Sequence, residues 1–229
     1  MPNKPSSQPT IRPGGTNQTL TVLIAVLVIL VSGFWIWRTQ FAGTANNEAL
    51  HQAVGRVLAE QTAQVVGPTG KIVIVSMASG HSPELKVQVK TFEKELKGLG
   101  NVTIRDWVVL DPGDNPKYRP GSGLSAKRFL KIARKHPGVD AFVSFIGAPQ
   151  MTDAELAELN PAPKLIAETH SPEKLTNLFA RKILVAAVVP RFQFPAPGPK
   201  KPQTGQQWFD RYYQVLESNS TIPKPDDNP

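Results

Sequence analysis

The sequence of 229 residues contains no cysteine. This absence excludes disulfide bridges, thiolate zinc sites, cysteine nucleophiles and redox dithiols together. The motifs G-x-S-x-G, H-E-x-x-H and G-x-G-x-x-G also do not occur in a suitable place. The segment GPTGK at 67–71 precedes a predicted strand, whereas a phosphate-binding loop follows one. The sequence therefore predicts no cofactor and no metal site, and it favours a non-catalytic role.

Acidic residues are absent from the first 38 positions, and a long run there lacks charge of either sign. This run, Leu20–Trp37, has 18 residues. As a helix it would span about 27 Å, close to the roughly 30 Å hydrocarbon core of a bilayer. Trp35 and Trp37 end the run beside Arg38, as in the aromatic belt of a membrane interface. We therefore expect a transmembrane helix at 19–38, with the bilayer as a partner.

Two other interpretations of this run are a buried core helix and a cleaved signal peptide. A core helix rarely lacks a polar face. A signal peptide has a shorter apolar region, of about 7–15 residues, followed by small residues. Retention as a signal anchor is therefore favoured. Lys4, Arg12 and the α-amino group precede the run and Arg38 alone follows it closely, so the positive-inside tendency predicts a single-pass inner-membrane protein with a cytoplasmic N-terminus. The domain would then be periplasmic or extracellular.

The two ends of the chain differ in composition from its middle. Twelve of the 22 prolines lie in 1–13 and 190–229. We expect residues 1–18 to be a disordered cytoplasmic tail, because they lack an apolar pattern. Residues 191–229 are predicted to be a Pro-rich tail with one short aromatic helix at 206–216.

An amphipathic linker helix is predicted at 46–66. Its apolar residues recur at helical spacing and form a single stripe: Ala49, Leu50, Ala53, Val54, Val57 and Leu58. Such a stripe needs a surface to cover it. The two candidates are the domain that follows and a second copy of the chain, which would make a homo-oligomer.

Residues 67–190 alternate between strand and helix patterns. Five strands are predicted at Lys71–Ser76, Val102–Leu110, Ala141–Ile146, Lys164–Glu168 and Ile183–Val189. The helices between them imply parallel crossovers, so the predicted fold class is α/β with a doubly wound five-stranded parallel sheet. The second strand alternates like an edge strand, which favours the order 2-1-3-4-5.

The segments KIVIVSMASG, GVDAFVSFIGAP, PKLIAETHSPE and ILVAAVVP resemble one lobe of the type 1 periplasmic-binding-protein-like α/β fold. The resemblance covers about 71–190, and in it Asp140–Pro149 matches a strand with a leading Asp and a small-residue loop. The resemblance implies that the domain contacts a ligand. A solute-binding protein of this fold has two lobes, however, and this chain is long enough for one lobe.

Candidate ligand-binding residues follow from the strand order. Ligands of open α/β sheets bind beyond the carboxyl ends of the strands, at the switch in order. For the order 2-1-3-4-5 these positions are the loops after the first and third strands, which contain Ser79, Gly80, His81 and Ser82, and Gly147 and Gln150. The helix start at Ser82 would offer free N–H groups to an anion.

A repeated segment adds a second histidine. GHSPELK at 80–86 and THSPEKL at 169–175 both follow a strand and open a helix. Capping explains Ser, Pro and Glu but leaves His81 and His170 unexplained. Both imidazoles would lie at the carboxyl edge and could bind a polar ligand. The alternative is that these two histidines are structural or incidental.

Seven basic residues lie between Asp114 and Asp140 without an acid. Export and the lack of interleaved aromatics exclude a nucleic-acid partner. Three functions stay open: a non-catalytic ligand-binding or assembly module, an envelope-tethered hydrolase or transferase using His81 or His170, and a structural subunit of an envelope or secretion assembly.

Overall fold

The structure is a computed structural model that describes residues 18–78, 82–110, 124–171, 175–191, 202–217 and 220. The chain divides into two compact units, residues 1–44 and Ala45–Pro229. The described residues of the first unit belong to helix α1 (Gln18–Val66). In it, Val22 and every residue from Val26 to Val31 are between 47% and 69% exposed. Among the described residues, no helix combines the length and apolar character that a membrane crossing requires.

The second unit contains one six-stranded sheet with the strand order β2-β1-β3-β4-β5-β6. The strands are β1 (Lys71–Met77), β2 (Thr103–Leu110), β3 (Ala141–Ser144), β4 (Lys164–Glu168), β5 (Leu184–Pro190) and β6 (Tyr213–Glu217). The helices after α1 are α2 (Pro83–Leu99), α3 (Ala126–Lys135), α4 (Asp153–Ala157), α5 (Thr176–Ala180) and α6 (Gly205–Tyr212). The first five strands are parallel, so the predicted order is confirmed, with β2 at the edge.

Helices cover both faces of the sheet, and β1 shows why. Ile72 and Ile74 contribute to the core under α1, α2 and α6, whereas Val73 and Val75 contribute to the core under α3, α4 and α5. All four side chains are fully buried. A strand that is buried on both faces has a continuous apolar sequence, which is the KIVIVS pattern.

The apolar stripe of α1 packs on this sheet. Its central residues are buried with strand and α2 side chains in one core: Ala53, Val54, Val57, Leu58 and Ala59. Gly55 brings α1 very close to α2, because a Cβ at this position would lie 2.3 Å from the carbonyl oxygen of Gln88. The domain itself therefore covers the stripe.

The predicted helix at 206–216 is only partly right. Helix α6 ends at Tyr212, and the next five residues form β6, antiparallel to β5. Without β6, the backbone N–H and C=O groups along one side of β5 would lack hydrogen-bond partners. Pairing these groups stabilises the fold more than one further turn of α6 would. Arg191 fixes the reversal, since its Nε donates to the carbonyl oxygens of Asp210 and Tyr213, both at 2.9 Å.

Two terminal predictions fall outside the described residues. Residues 1–17 and 192–201 belong to the predicted disordered and Pro-rich tails and are not described. Those assignments stay predictions.

Candidate functional site

A cavity of about 430 Å³ lies at the carboxyl edge of the sheet. The ends of β1, β3 and β4 contribute to its wall, and α1, α2 and β6 close it. Its lining residues are His51, Met77, Ser82, Glu84, Leu85, Gln88, Phe145, Ile146, Gly147, Glu168, Thr169, His170 and Tyr213. Because β1 and β3 are neighbours at the switch in strand order, the cavity occupies the position where open α/β sheets bind ligands.

Glu168 is the most unusual group in this cavity. It is the last residue of β4 and is only 6% exposed. Burial raises the pKa of its carboxyl to about 7, although the hydrogen bond from Gln88 acts in the opposite direction. A buried charge is costly when few groups solvate it. Glu168 therefore exchanges its proton near neutral pH.

Gln88 connects Glu168 to His51. It lies on the buried face of α2, and its Nε2 donates to Oε1 of Glu168 at 3.2 Å. The same nitrogen lies 3.1 Å from Nδ1 of His51 on α1. One amide thus joins two helices and the end of a central strand beneath the cavity.

His51 is partly buried and His170 is exposed at the mouth of the cavity, and both are held in the neutral form. Burial lowers the pKa of His170. Burial also lowers the pKa of His51, and His170 adds to this effect while Glu84 opposes it. The two imidazoles therefore contribute polar nitrogen atoms but no positive charge near pH 7.

The start of α2 does not offer an anion site. Ser82 is the predicted N-cap, and its Oγ accepts from the backbone N–H of Leu85 at 3.2 Å. The Ser82 hydroxyl donates to Oε2 of Glu84 at 2.8 Å. Hydrogen bonds from its own backbone N–H and from Ser82 lower the pKa of Glu84. A carboxylate of the chain itself therefore occupies the positive end of the helix.

Three of the predicted ligand-binding residues meet at this cavity: Ser82, Gly147 and His170. Gly147 has a φ of +97° and forms the tight turn after β3, where the Ser144 hydroxyl donates to its carbonyl oxygen at 2.6 Å. A side chain would strain that conformation. Gln150 is exposed and forms an isolated bridge with Ser125 instead.

The remaining predicted residues, Ser79, Gly80 and His81, lie outside the described residues. Ligand binding by all seven positions stays a prediction.

Sequence reasoning missed four residues of the cavity: His51, Gln88, Glu168 and Tyr213. Glu168 could have been found from the sequence, because it is a carboxylate at the end of the apolar strand KLIAE. Gln88 could also have been found, because it is an amide on the apolar face of α2. Tyr213 had no signal, because its strand was predicted as helix. Burial and the charge of Glu168 raise the pKa of Tyr213 to about 12, so its phenol is neutral.

The donor set does not favour a metal ion. Across the described ranges, no group of three or more His, Asp or Glu side chains is placed to hold one.

Comparison with known proteins gives only distant structural similarity. No protein-family model and no curated protein matches the sequence. Among solved structures, XylFII is 15% identical, with 73% of this chain and 60% of that chain covered and a TM-score of 0.49. AraP, an arabinose-binding protein from Geobacillus stearothermophilus, is 15% identical (61% and 45% covered, TM-score 0.45).

A third structure, GanP, a glucose-galactose binding protein from the same organism, is 10% identical over 73% of this chain and 60% of its own, with a TM-score of 0.44. The chain spans about 60% of the length of XylFII. The α/β unit is similar to part of each of these three structures.

Proposed function

We propose that this chain is a membrane-anchored, extracytoplasmic α/β module that binds a small polar ligand without transforming it. The observation that carries the proposal is the buried Glu168–Gln88–His51 chain beneath a cavity at the switch in strand order. Such a combination of a well-formed cavity, a few convergent polar groups and a perturbed pKa is typical of ligand sites.

The energetics of burial support a ligand. Fixing a carboxyl and an imidazole inside a small domain costs free energy that apolar residues in the same places would avoid. Most of the buried side chains around them are aliphatic or aromatic. Retaining polar groups at one point of this core is reasonable where a bound molecule completes their hydrogen bonds.

The hydroxyl groups of the cavity support a non-catalytic role. Ser82 donates to Glu84, and Oγ1 of Thr169 accepts from the backbone N–H of Ser171 at 3.5 Å. Among the described residues, neither hydroxyl is hydrogen-bonded to His51 or His170. A serine or threonine nucleophile needs a base within hydrogen-bond reach.

The uncharged run Leu20–Trp37 supports the anchor. Seven described apolar side chains of this run are about half exposed or more, and consecutive residues of a helix point in all directions around it. Water would solvate such a surface poorly, whereas lipid would cover it.

Ligand binding is tested by thermal shift of the 229-residue chain in detergent against sugars, polyols, amino acids, amines and carboxylates. We expect one chemical class to raise the melting temperature, and His170→Ala to abolish the shift. Lys90→Ala, on α2 but outside the cavity, should leave it unchanged. The binding proposal is wrong if no class stabilises the protein, or if turnover of the ligand accompanies binding.

The anchor is tested by alkaline carbonate extraction of membranes and by protease added outside the cytoplasm. We expect the chain to stay in the membrane fraction and the domain to be digested. Replacing Leu27 and Leu30 by Lys should release it. Recovery of the unaltered chain in the soluble fraction would contradict the anchor.

A further inference from the structure

The charged side chains among the described lining residues of the cavity are acidic. Its ionisable lining residues are Glu84 and Glu168, with two histidines and one tyrosine, and no Lys or Arg is among the described residues that line it. The lysines Lys86, Lys90 and Lys94 of α2 instead border a separate groove of about 800 Å³ between α1 and α2, together with Glu48 and Glu95. The same helix thus presents a carboxylate to the cavity and its ammonium groups elsewhere.

The two features that could have attracted an anion are already neutralised. The start of α2 is occupied by the Glu84 carboxylate and the Ser82 hydroxyl. The imidazoles of His51 and His170 carry no charge near neutral pH, since burial lowers the pKa of each. Within the described lining, an anionic ligand would therefore meet two carboxyl groups and no lysine or arginine.

In the described part of the chain, Gln88 is the side chain that hydrogen-bonds the carboxyl of Glu168, through one of its two oxygens. An ionised carboxylate has room for about four donors. An ammonium group supplies three donors and the missing positive charge in one compact group.

From this geometry we infer that the ligand is a small amine, whose ammonium group binds the carboxylate of Glu168. The inference rests on the proposed function and names the chemical class of the ligand at that site. The neutral phenol of Tyr213 and the imidazole of His170 remain as partners for further polar groups of the ligand.

Such a ligand would bind with a defined pH dependence. The pKa of Glu168 is raised to about 7 in the free protein, so the ionised form that binds an ammonium group is lost as the pH falls below that value. The other titratable groups facing it are His51, Glu84, His170 and Tyr213. Protonation of either histidine also repels an ammonium group, so its effect has the same direction. We expect roughly 30-fold weaker binding at pH 5.5 than at pH 8, from Glu168 alone.

The test compares matched pairs by isothermal titration calorimetry on the full chain in detergent. The probes are 1,4-diaminobutane against 1,4-butanediol, cyclohexylamine against cyclohexanol, and glucamine against sorbitol. We expect at least one amine to bind ten or more times more tightly than its alcohol at pH 8, and to lose affinity at pH 5.5. Glu168→Gln should remove both effects. Lys90→Gln, in the other groove, should change neither.

The outcomes separate the inference from the proposed function. If an alcohol, sugar or carboxylate binds at the cavity and no amine is preferred, the inference is wrong and the binding function stands. If no compound of any class binds, both are wrong. Should Glu168→Gln fail to fold, Glu84→Gln on the cavity rim must still weaken the amine several-fold, and the comparison within each pair needs no variant.

Discussion

Gln88 donates from Nε2 to Oε1 of Glu168 across 3.2 Å, which joins the middle of α2 to the end of β4. Both residues are less than 7% exposed. Hydrogen bonds to a charged group inside a protein are stronger than those at its surface. This contact therefore helps to position the carboxyl in the cavity, and it lowers the proton affinity that burial raises.

The stability of the chain should depend on pH through Glu168. Its pKa is about 7 in the folded protein and near 4.5 when solvated. The folded state holds this proton more tightly, so the contribution of Glu168 to stability is greatest below pH 4.5 and falls as the pH rises to 7. The predicted loss is about 3 kcal/mol. Urea denaturation between pH 4.5 and 8 of the wild type and Glu168→Gln measures it, since the difference between the two isolates this group. A constant difference would contradict the prediction.

Replacing Gln88 by Leu should raise the pKa of Glu168 above 7, because the amide stabilises the ionised carboxylate. We also expect a loss of about 1–3 kcal/mol in unfolding free energy at pH 8. A carboxyl ¹³C NMR titration reports the pKa directly. Lys90→Leu, on the exposed face of the same helix, is the control and should leave the pKa of Glu168 unchanged.

A methyl group at Gly55 should separate α1 from α2. A Cβ there would lie 2.3 Å from the Gln88 carbonyl oxygen, which belongs to the backbone and cannot rotate away. We expect Gly55→Ala to lower the unfolding free energy by about 1–3 kcal/mol. Gly98→Ala provides a matched control in α2, because nothing lies within 4 Å of its Cβ. It should be neutral or stabilise by up to about 1 kcal/mol. Equal effects in urea titrations would refute the close contact.

Arg191 should hold β6 on the sheet. Its guanidinium donates to the carbonyl oxygens of Asp210 and Tyr213, and its Nη1 donates to Oε1 of Gln214 at 3.3 Å. Arg191→Met should cost about 1.5–3 kcal/mol, since these are bonds from a charged donor. Hydrogen exchange of the β6 amides should accelerate. Arg105→Met on the exposed side of β2 is the comparison, and protection of β6 unchanged in both variants would disprove the role.

The sequence predicted the sheet well because local patterns carry its information. β1 is apolar at every position from Ile72 to Val75, and only burial on both faces explains such a strand. The Ser82-Pro83 pair marks the start of α2 by capping chemistry that needs no tertiary contact.

The failures have tertiary causes. The segment YQVLE at Tyr213–Glu217 suits a helix or a strand, and the free side of β5 decides between them. The contacts of Gln88 with His51 and Glu168 join residues 37 and 80 positions apart. The hydrophobic periodicity of one segment contains no information about which side chains of two other segments it will contact.

The side-chain amide of Gln88 has a further consequence, because its nitrogen donates hydrogen bonds and its oxygen accepts them. Its nitrogen faces both His51 and Glu168, so Nδ1 of His51 must accept and its proton must sit on Nε2. If the amide turns over, its oxygen faces both neighbours and accepts a proton-bearing Nδ1 and a proton-bearing carboxyl together. Each orientation satisfies all three groups, whereas a mixed arrangement leaves one neighbour of the amide without its hydrogen bond. A neutral imidazole can follow the amide by moving its proton from Nε2 to Nδ1, so protonation of Glu168 alone should turn the amide from one complete hydrogen-bond pattern to the other.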